Sequence, residues 1–381
     1  MILFLLIGRP SAYVFNAICL TIFTLCTLDL SPNKTAWSTS PPAWSGLRRL
    51  DAMTTERGSI HRSLFTTQPS CCSNQGVTCG SVSGTSSYAS VLQIDLNTLG
   101  LSGSLPSEIG LFRSITKFVM GANLINGTIP STISDMTSLQ YIDVGFNSLA
   151  GTIPSTFGLL TALQVVILFE NRLTGPIPAT VGAMKSLTVL SLDTNSLIGS
   201  IPASLGDLTD LVQLSLYGNR LSGSLPSSLG ALKSLSYFNI DTNSLVSTIP
   251  SSMAAMTALA ILTLNGNSLT GSIPSSFGLL TRLSYLDIGT NSLSGSIPST
   301  FSLLVDLAGL KLQENFLTMG SALTVPPSTF SLTTQKGILD LSVNCLAYTS
   351  DFNPGHNTTP THCKCKNAYL MLRCIQVHEL L

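Results

Sequence analysis

The 381-residue sequence predicts an α/β solenoid, in which short coils stack side by side and their strands form one parallel sheet. A chain of this length exceeds what a single compact core can hold, so it must divide or repeat. Two residue types show that it repeats, because asparagine and proline each recur with a step of 24 residues. The asparagines are Asn123, Asn147, Asn171, Asn195, Asn219, Asn243, Asn267, Asn291 and Asn315. The prolines are Pro106, Pro130, Pro154, Pro178, Pro202, Pro226, Pro250, Pro274 and Pro298.

The repeating unit reads L-x-x-L-x-L-x-x-N-x-L-x-G-x-I-P-x-x-L-G-x-L-x-x, as in residues 211–234. Ten units occupy 91–320, and Leu339, Leu341 and Asn344 mark a degenerate eleventh. Apolar residues at positions 1, 4 and 6 alternate as on a short strand, and stacking at about 4.7–4.9 Å would bury them in one core. The asparagine at position 9 is expected to turn inward and bond backbone groups of its own and adjacent coils. The glycine at position 13, replaced once by Ser247, predicts a positive φ or a close backbone approach.

The L-x-G-x-I-P segment resembles the plant-specific class of leucine-rich repeats, found in receptor-like kinase ectodomains, receptor-like proteins and polygalacturonase inhibitors. The resemblance covers 91–320 of the chain. It implies a right-handed solenoid, a horseshoe or superhelix, with a concave parallel β-sheet and a second, shorter sheet near the G-x-I-P segment. It also implies an interaction role outside the cytoplasm.

The amino-terminal segment has the pattern of a secretory leader. Arg9 precedes a mainly apolar stretch at 12–28, and polar residues follow it. We therefore expect 1–30 to be a signal peptide or a signal anchor, the only part that would touch a membrane. Residues 31–60 are polar and are predicted to form a poorly ordered linker. The solenoid is accordingly expected to be secreted or on the cell surface.

Cysteines flank the repeats and predict a cap at each end. The run CCSNQGVTC at 71–79 resembles the amino-terminal cap of the family, with Asn74 where that pattern has tryptophan. The resemblance assigns 61–90 to this cap and implies a Cys72–Cys79 disulfide, leaving Cys71 without its usual upstream partner unless Cys26 is retained in the mature chain. We expect the carboxy-terminal cysteines to close a second cap within 321–381 in any of three pairings. These are Cys345, Cys363, Cys365 and Cys374.

Two further features of the flanking segments remain open. The Cys363-x-Cys365 pair beside His362 is also compatible with zinc, although a disulfide is the commoner outcome in a secreted chain. Neither a metal nor a cofactor is therefore predicted. Sequons at Asn33, Asn126 and Asn357 are candidate glycosylation sites.

Composition and motifs argue against two functional classes. Only 9% of residues are charged, with 18 basic and 18 acidic, so no net field would attract nucleic acid. The histidines all lie outside the repeats, and no nucleophile elbow, phosphate-binding loop or kinase signature is present. We therefore predict a binding protein and not an enzyme.

Side chains at positions 2, 3, 5, 7 and 8 of each unit should project from the concave sheet. Most are small and polar, but repeats 3–7 carry a cluster of apolar and aromatic residues bordered by carboxylates. Such a patch predicts a binding site for a protein or peptide, and the alternative is that the aromatics only pack sideways on neighbouring strands. The predicted site consists of Tyr141, Asp143, Phe146, Val165, Ile167, Phe169, Glu170, Val189, Asp193, Tyr217 and Tyr237.

Three functions fit this reading. The first is a receptor-like recognition module in signalling, adhesion or defence. The second is a secreted inhibitor whose partner is a carbohydrate-active enzyme, a wall-degrading glycosidase, as the resemblance to polygalacturonase inhibitors implies. The third is ice or carbohydrate binding through Thr194, Thr242 and Thr290, but these threonines occupy alternate coils only.

Overall fold

A computed structural model describes residues 76–81, 89–318 and 338–340. Almost every repeat contributes two short strands and one five-residue 3-10 helix. In chain order the strands are β1 (Val77–Ser81), β2 (Ala89–Asp95), β3 (Ser102–Ser104), β4 (Lys117–Val119), β5 (Leu124–Asn126), β6 (Tyr141–Asp143), β7 (Ala150–Thr152), β8 (Val165–Ile167), β9 (Arg172–Gly175), β10 (Val189–Ser191), β11 (Ser196–Ser200), β12 (Gln213–Ser215), β13 (Arg220–Gly223), β14 (Tyr237–Asn239), β15 (Ser244–Leu245), β16 (Ile261–Thr263), β17 (Thr270–Ser272), β18 (Tyr285–Asp287), β19 (Ser292–Ser296), β20 (Gly309–Lys311), β21 (Phe316–Thr318) and β22 (Ile338–Asp340). The 3-10 helices of the described residues are Ser107–Leu111, Ser131–Asp135, Ser155–Leu159, Ala179–Ala183, Ala203–Asp207, Ser227–Ala231, Ser251–Ala255, Ser275–Leu279 and Ser299–Leu303.

The main sheet, called the long sheet here, has 12 strands in the order β1-β2-β4-β6-β8-β10-β12-β14-β16-β18-β20-β22. Strand β1 is antiparallel to β2, and the later neighbours are parallel. Each residue of a central strand pairs with the residue one repeat later, as Val189 pairs with Gln213. The last step is longer, because Gly309 pairs with Ile338. The predicted parallel sheet of stacked coils is therefore confirmed.

A second, interrupted sheet runs along another side of the coils. It consists of a 2-stranded piece (β3-β5), a 5-stranded piece (β7 to β15) and a 3-stranded piece (β17-β19-β21). Single residue pairs, Thr128 with Ala150 and Thr248 with Thr270, bridge the two gaps. The shorter sheet implied by the L-x-G-x-I-P resemblance is thus present in three pieces.

The core is a single apolar cluster that extends from Val77 to Leu317. Positions 1, 4 and 6 point inward as predicted, so Leu187, Leu190 and Leu192 are almost completely buried. Burying a leucine side chain contributes about 1.5–3 kcal/mol relative to leaving it exposed. Since no coil could enclose this face alone, stacking is what stabilises the fold.

The recurring asparagine forms the expected ladder through the stack. In Asn195 the side-chain nitrogen donates to the carbonyls of Leu168 at 3.0 Å, Leu192 at 3.2 Å and Asp193 at 3.0 Å. Its side-chain oxygen accepts from the amide of Leu173 in the preceding coil at 2.9 Å. The same pattern holds from Asn123 to Asn315. Each asparagine therefore satisfies backbone groups of two coils that would otherwise be left unpaired.

A second ladder, which the sequence analysis missed, lies at position 18. There a serine or threonine hydroxyl donates to the position-17 carbonyl of the preceding coil, as Ser204 does to Ala179 at 2.6 Å. Eight repeats share this bond. The coils also approach closely here, since a Cβ added to Gly206 would lie 2.3 Å from the Ser228 carbonyl oxygen. Hydroxyl and glycine together explain why the 3-10 helices stack so regularly.

The amino-terminal end of the long sheet is covered by β1. This strand carries Cys79, whose sulfur is disulfide-bonded. Its partner lies outside the described residues, so pairing with Cys72 stays a prediction. Cys345, Cys363, Cys365 and Cys374 also lie outside them, as do Asn33, Asn357 and the predicted leader and linker. Within the ranges that the structure describes, the helices are too short and too polar to cross a bilayer.

Candidate functional site

The eleven residues of the predicted binding patch lie on one face of the long sheet. Strands β6, β8, β10, β12 and β14 bring them together, and the register aligns Tyr141, Val165, Val189 and Tyr237 in one row with Gln213 between the last two. We call the surface formed by positions 3, 5, 7 and 8 of the repeats the long-sheet face. The patch occupies its middle, in repeats 3–7.

The row at position 3 is half-buried by its own neighbours. Tyr141, Val165, Val189 and Tyr237 are each partly covered, and Ile261 and Tyr285 continue the row in the same state. Neighbouring side chains on adjacent strands are close enough to pack sideways. Lateral packing therefore accounts for much of this row.

Two aromatic residues at positions 7 and 8 are less covered, whereas Phe169 at position 7 is partly buried. Phe146 is 50% exposed and Tyr217 is 43% exposed. The rings of Phe146 and Phe169 meet edge to face, with centroids 4.8 Å apart. Aromatic groups that remain exposed on a rigid sheet are suited to anchor a partner.

Phe146 also adopts an uncommon backbone conformation, with φ of 50°. Position 8 is left-handed in every repeat from Thr98 to Glu314, and glycine occupies it only at Gly218 and Gly266. The turn is held by bonds between coils, such as Phe146 N to the Phe169 carbonyl at 3.0 Å. Because the repeat imposes this conformation, the side chain at position 8 is directed in the same way in each coil.

The carboxylates that border the aromatics are held by hydrogen bonds. One oxygen of Asp193 accepts from the Ser215 hydroxyl and from the Tyr217 amide at 3.1 Å, and the other accepts from the Ser191 hydroxyl at 2.7 Å. Asp143 accepts from the Gly145 amide at 2.9 Å. Burial raises the pKa of Asp143 above its ordinary value, against the lowering effect of that amide. Both carboxylates are therefore fixed in place before any partner arrives.

A similar arrangement closes each end of the long-sheet face. Lys117 forms an ion pair with Asp95 at 2.9 Å and lies 5.8 Å from the ring centre of Tyr141. Burial, and then the nearby Asp143 charge, raise the pKa of Tyr141. At the other end Lys311 lies 3.9 Å from Asp287 and 5.7 Å from the ring centre of Tyr285.

Asp241 is a residue of this face that the sequence analysis missed. Burial is the main cause that raises its pKa to about 6, and the negative charge of Asp287 acts in the same direction. The Asn265 amide, which donates to Asp241 at 2.7 Å, opposes the shift. Asp241 occupies position 7, as Asp193 does, so the same positional rule would have found it.

The candidate glycosylation site at Asn126 lies on the second sheet. Its side chain is exposed in β5, and Thr128 of the sequon is exposed as well. Modification there stays a prediction, as it does at Asn33 and Asn357. The rival zinc site at Cys363 and Cys365 lies outside the described residues.

With this geometry established, comparison with known proteins identifies the repeat. The family model described as Leucine Rich Repeat matches residues 138–160, 186–208, 210–232, 258–280 and 282–304. The chain contains leucine-rich repeats, and its stacked parallel strands form a leucine-rich-repeat solenoid. No curated protein sequence matches the chain significantly.

Many solved structures share the fold. The ectodomain of the receptor kinase GASSHO1/SCHENGEN3 from Arabidopsis thaliana, in complex with CASPARIAN STRIP INTEGRITY FACTOR 2, is 35% identical with a TM-score of 0.59. That match covers 60% of this chain and 27% of the ectodomain. The ectodomain of the Arabidopsis receptor kinase HAESA, in complex with an IDA peptide hormone ligand, is 29% identical with a TM-score of 0.61 over 72% of this chain and 49% of the ectodomain. The chain thus spans between a quarter and a half of these two ectodomains.

A plant ice-binding protein is similar as well. It is 25% identical with a TM-score of 0.56, and the match covers 66% of this chain and 80% of that protein. The fold therefore occurs in proteins that bind quite different partners.

Proposed function

We propose that the protein is an extracellular or cell-surface recognition module that binds a protein or peptide on its long-sheet face. The observation that carries this proposal is the aromatic group of exposed Phe146 and Tyr217 and partly buried Phe169, which the sheet holds beside fixed carboxylates. Ectodomains with this fold in complex with a peptide hormone support it. Binding through preformed side chains requires neither a cofactor nor catalytic groups.

A pull-down with the full chain tests this site. Changing Phe169 and Tyr217 to serine should abolish capture of the partner from extracellular material, because aromatic anchors carry much of the energy of an interface. The matched control changes Leu159 and Leu279 to serine, since both leucines are more than 60% exposed and belong to the 3-10 helices. Undiminished capture by the Phe169 and Tyr217 variant, with an unchanged melting temperature, would refute the proposed site.

The predicted location follows from the apolar segment at 12–28 and is tested by cell fractionation. Recovery from the medium is expected for a cleaved leader, and recovery in the membrane fraction for an anchor. Recovery from the cytosol would contradict an extracellular role. The glycosidase-inhibitor alternative stays a prediction that no observation specifically favours.

A second candidate function is ice binding, and the second sheet favours it. Positions 12 and 14, on either side of the recurring glycine, carry exposed hydroxyl side chains in most coils. These are Thr128, Thr152, Thr174, Ser200, Ser222, Ser224, Thr248, Thr270, Ser272, Ser294, Ser296 and Thr318. Parallel strands about 4.8 Å apart arrange such hydroxyls in a regular array, which is denser than the row at Thr194, Thr242 and Thr290.

Ice-recrystallisation inhibition would distinguish this function from peptide recognition. Changing Ser222 and Ser272 to lysine should abolish inhibition by disrupting the array, whereas the Phe169 and Tyr217 variant should retain it. A wild-type chain that leaves ice growth unaffected excludes the candidate.

A further inference from the structure

Acidic and basic residues are equal in number in the whole sequence, but the fold places them on different faces. Among the described repeats, the long-sheet face carries seven acidic side chains and two basic ones, Lys117 and Lys311. The remaining lysines and arginines of 91–318 lie at other positions of the coil: Arg113, Arg172, Lys185, Arg220, Lys233 and Arg282. One face of a neutral protein is therefore distinctly negative. The acidic side chains on it are Asp95, Asp143, Glu170, Asp193, Asp241, Asp287 and Glu314.

The two lysines neutralise only the ends of this face. Lys117 pairs with Asp95 in the first two repeats, and Lys311 pairs with Asp287 in the last two. Each lysine also lies over a tyrosine ring, which favours its present position. Between them, Asp143, Glu170 and Asp193 form no ion pair with any residue that the structure describes. The uncompensated negative charge therefore coincides with the aromatic group of repeats 3–6.

The carboxylates there retain capacity for a partner. Asp143 accepts one amide hydrogen bond, and an ionised carboxylate can accept about four. Asp193 uses three such positions and is held rigidly by them. Little ordering cost would accompany binding to groups that are already fixed.

We infer that the partner of this face is an extended peptide segment with lysine or arginine at alternate positions. This inference rests on the proposed function and specifies its ligand. The four strand spacings from β6 to β14, at about 4.8 Å each, extend over roughly 19 Å, which matches about six extended residues. Side chains at alternate positions of such a segment face the sheet. There the charged ends of the lysines or arginines contact the carboxylates, and the aliphatic parts of the same side chains pack on Phe169 and Tyr217.

Fluorescence polarisation with the full chain tests the inference, using two labelled peptides of roughly twelve residues, one alternating lysine and serine and one alternating glutamate and serine. The lysine peptide should bind at least about tenfold more tightly than the glutamate peptide. The triple variant D143N/E170Q/D193N should bind the lysine peptide about tenfold more weakly than the wild type does. Added salt should reduce the affinity of the wild type more than it reduces the affinity of the variant.

The matched control is the triple variant D135N/D210N/D306N, which makes the same change in net charge at exposed positions off the long-sheet face. It should change the affinity by less than about twofold. Equal weakening by both triple variants, equal affinity for the two peptides, or no binding of the lysine peptide would each overturn the inference. A different result would separate this inference from the proposed function. If the glutamate peptide or the native partner binds the wild type but not the variant with serine at Phe169 and Tyr217, the charge inference fails and the proposed function stands. Circular dichroism of each variant establishes that it is folded.

Discussion

Changing Asn195 to alanine should destabilise the solenoid by about 2–4 kcal/mol. The side chain makes four hydrogen bonds, three to carbonyls and one from the Leu173 amide. Each of these carbonyls also accepts from a second donor, namely the Asn171 side chain, the Asn219 side chain or the Glu170 amide. The Leu173 amide, in contrast, loses its acceptor outright. One orphaned buried donor costs about 1–3 kcal/mol, and weakening the remaining bonds adds roughly 1 kcal/mol.

Urea unfolding measures the change in the free energy of unfolding. Hydrogen exchange locates the change, because the substitution should speed exchange at the Leu173 amide more than at amides several coils away. The control is Asn97 to alanine, since Asn97 is exposed and lies off the ladder. The reasoning is refuted if the two variants differ by less than about 0.5 kcal/mol, or if exchange at Leu173 is unchanged.

Two further changes test other features. Ser247 occupies the glycine position with φ of 73°. Changing Ser247 to glycine should therefore raise the free energy of unfolding, measured with urea, by about 1 kcal/mol. The control is Ser268 to glycine, which should lower the free energy of unfolding because Ser268 has an ordinary φ. The pKa of Asp241 is raised in the folded state to about 6, so the native chain binds more protons than the unfolded chain between about pH 4 and 6. Stability should therefore fall as pH rises through that window, by about 1–2 kcal/mol after solvent screening. Asp241 to asparagine should remove this dependence, and a variant that keeps the wild-type pH profile would contradict it.

The fold could be predicted because one repeat fixes many contacts at once. Leucines at positions 1, 4 and 6 allow a single inward face, and Asn195 and its equivalents bond backbone groups of the preceding coil. The hydroxyl ladder has an equally regular signal at position 18, as at Ser204, yet it was not predicted. Serine and threonine are common in turns for local reasons, which conceals a bond to a neighbouring coil.

Repeat numbering predicted that Phe169 and Tyr217 lie on the same face of the long sheet, and the structure places them there. Their different exposure could not be predicted, because it depends on packing between strands. The left-handed φ at Phe146 could not be predicted from residue type, because threonine, alanine and glutamate occupy the same position in other repeats. The negative charge of the long-sheet face could likewise not be predicted from the net charge of the chain, because the basic residues that balance it lie on other sides of the coil.

The asparagine ladder at position 9 and the hydroxyl ladder at position 18 give each coil equivalent contacts to its neighbours. Removing residues 187–210 would bring the coil that begins at Leu211 against the one that ends with Ser186, and both ladders could form again across the junction. Removing half as many residues would set each asparagine against position 21 of the neighbouring coil and each hydroxyl against position 6, so neither ladder could form there. Chain length in such a molecule can therefore change only by whole coils, and the extent of the surface available to a partner changes in the same discrete steps.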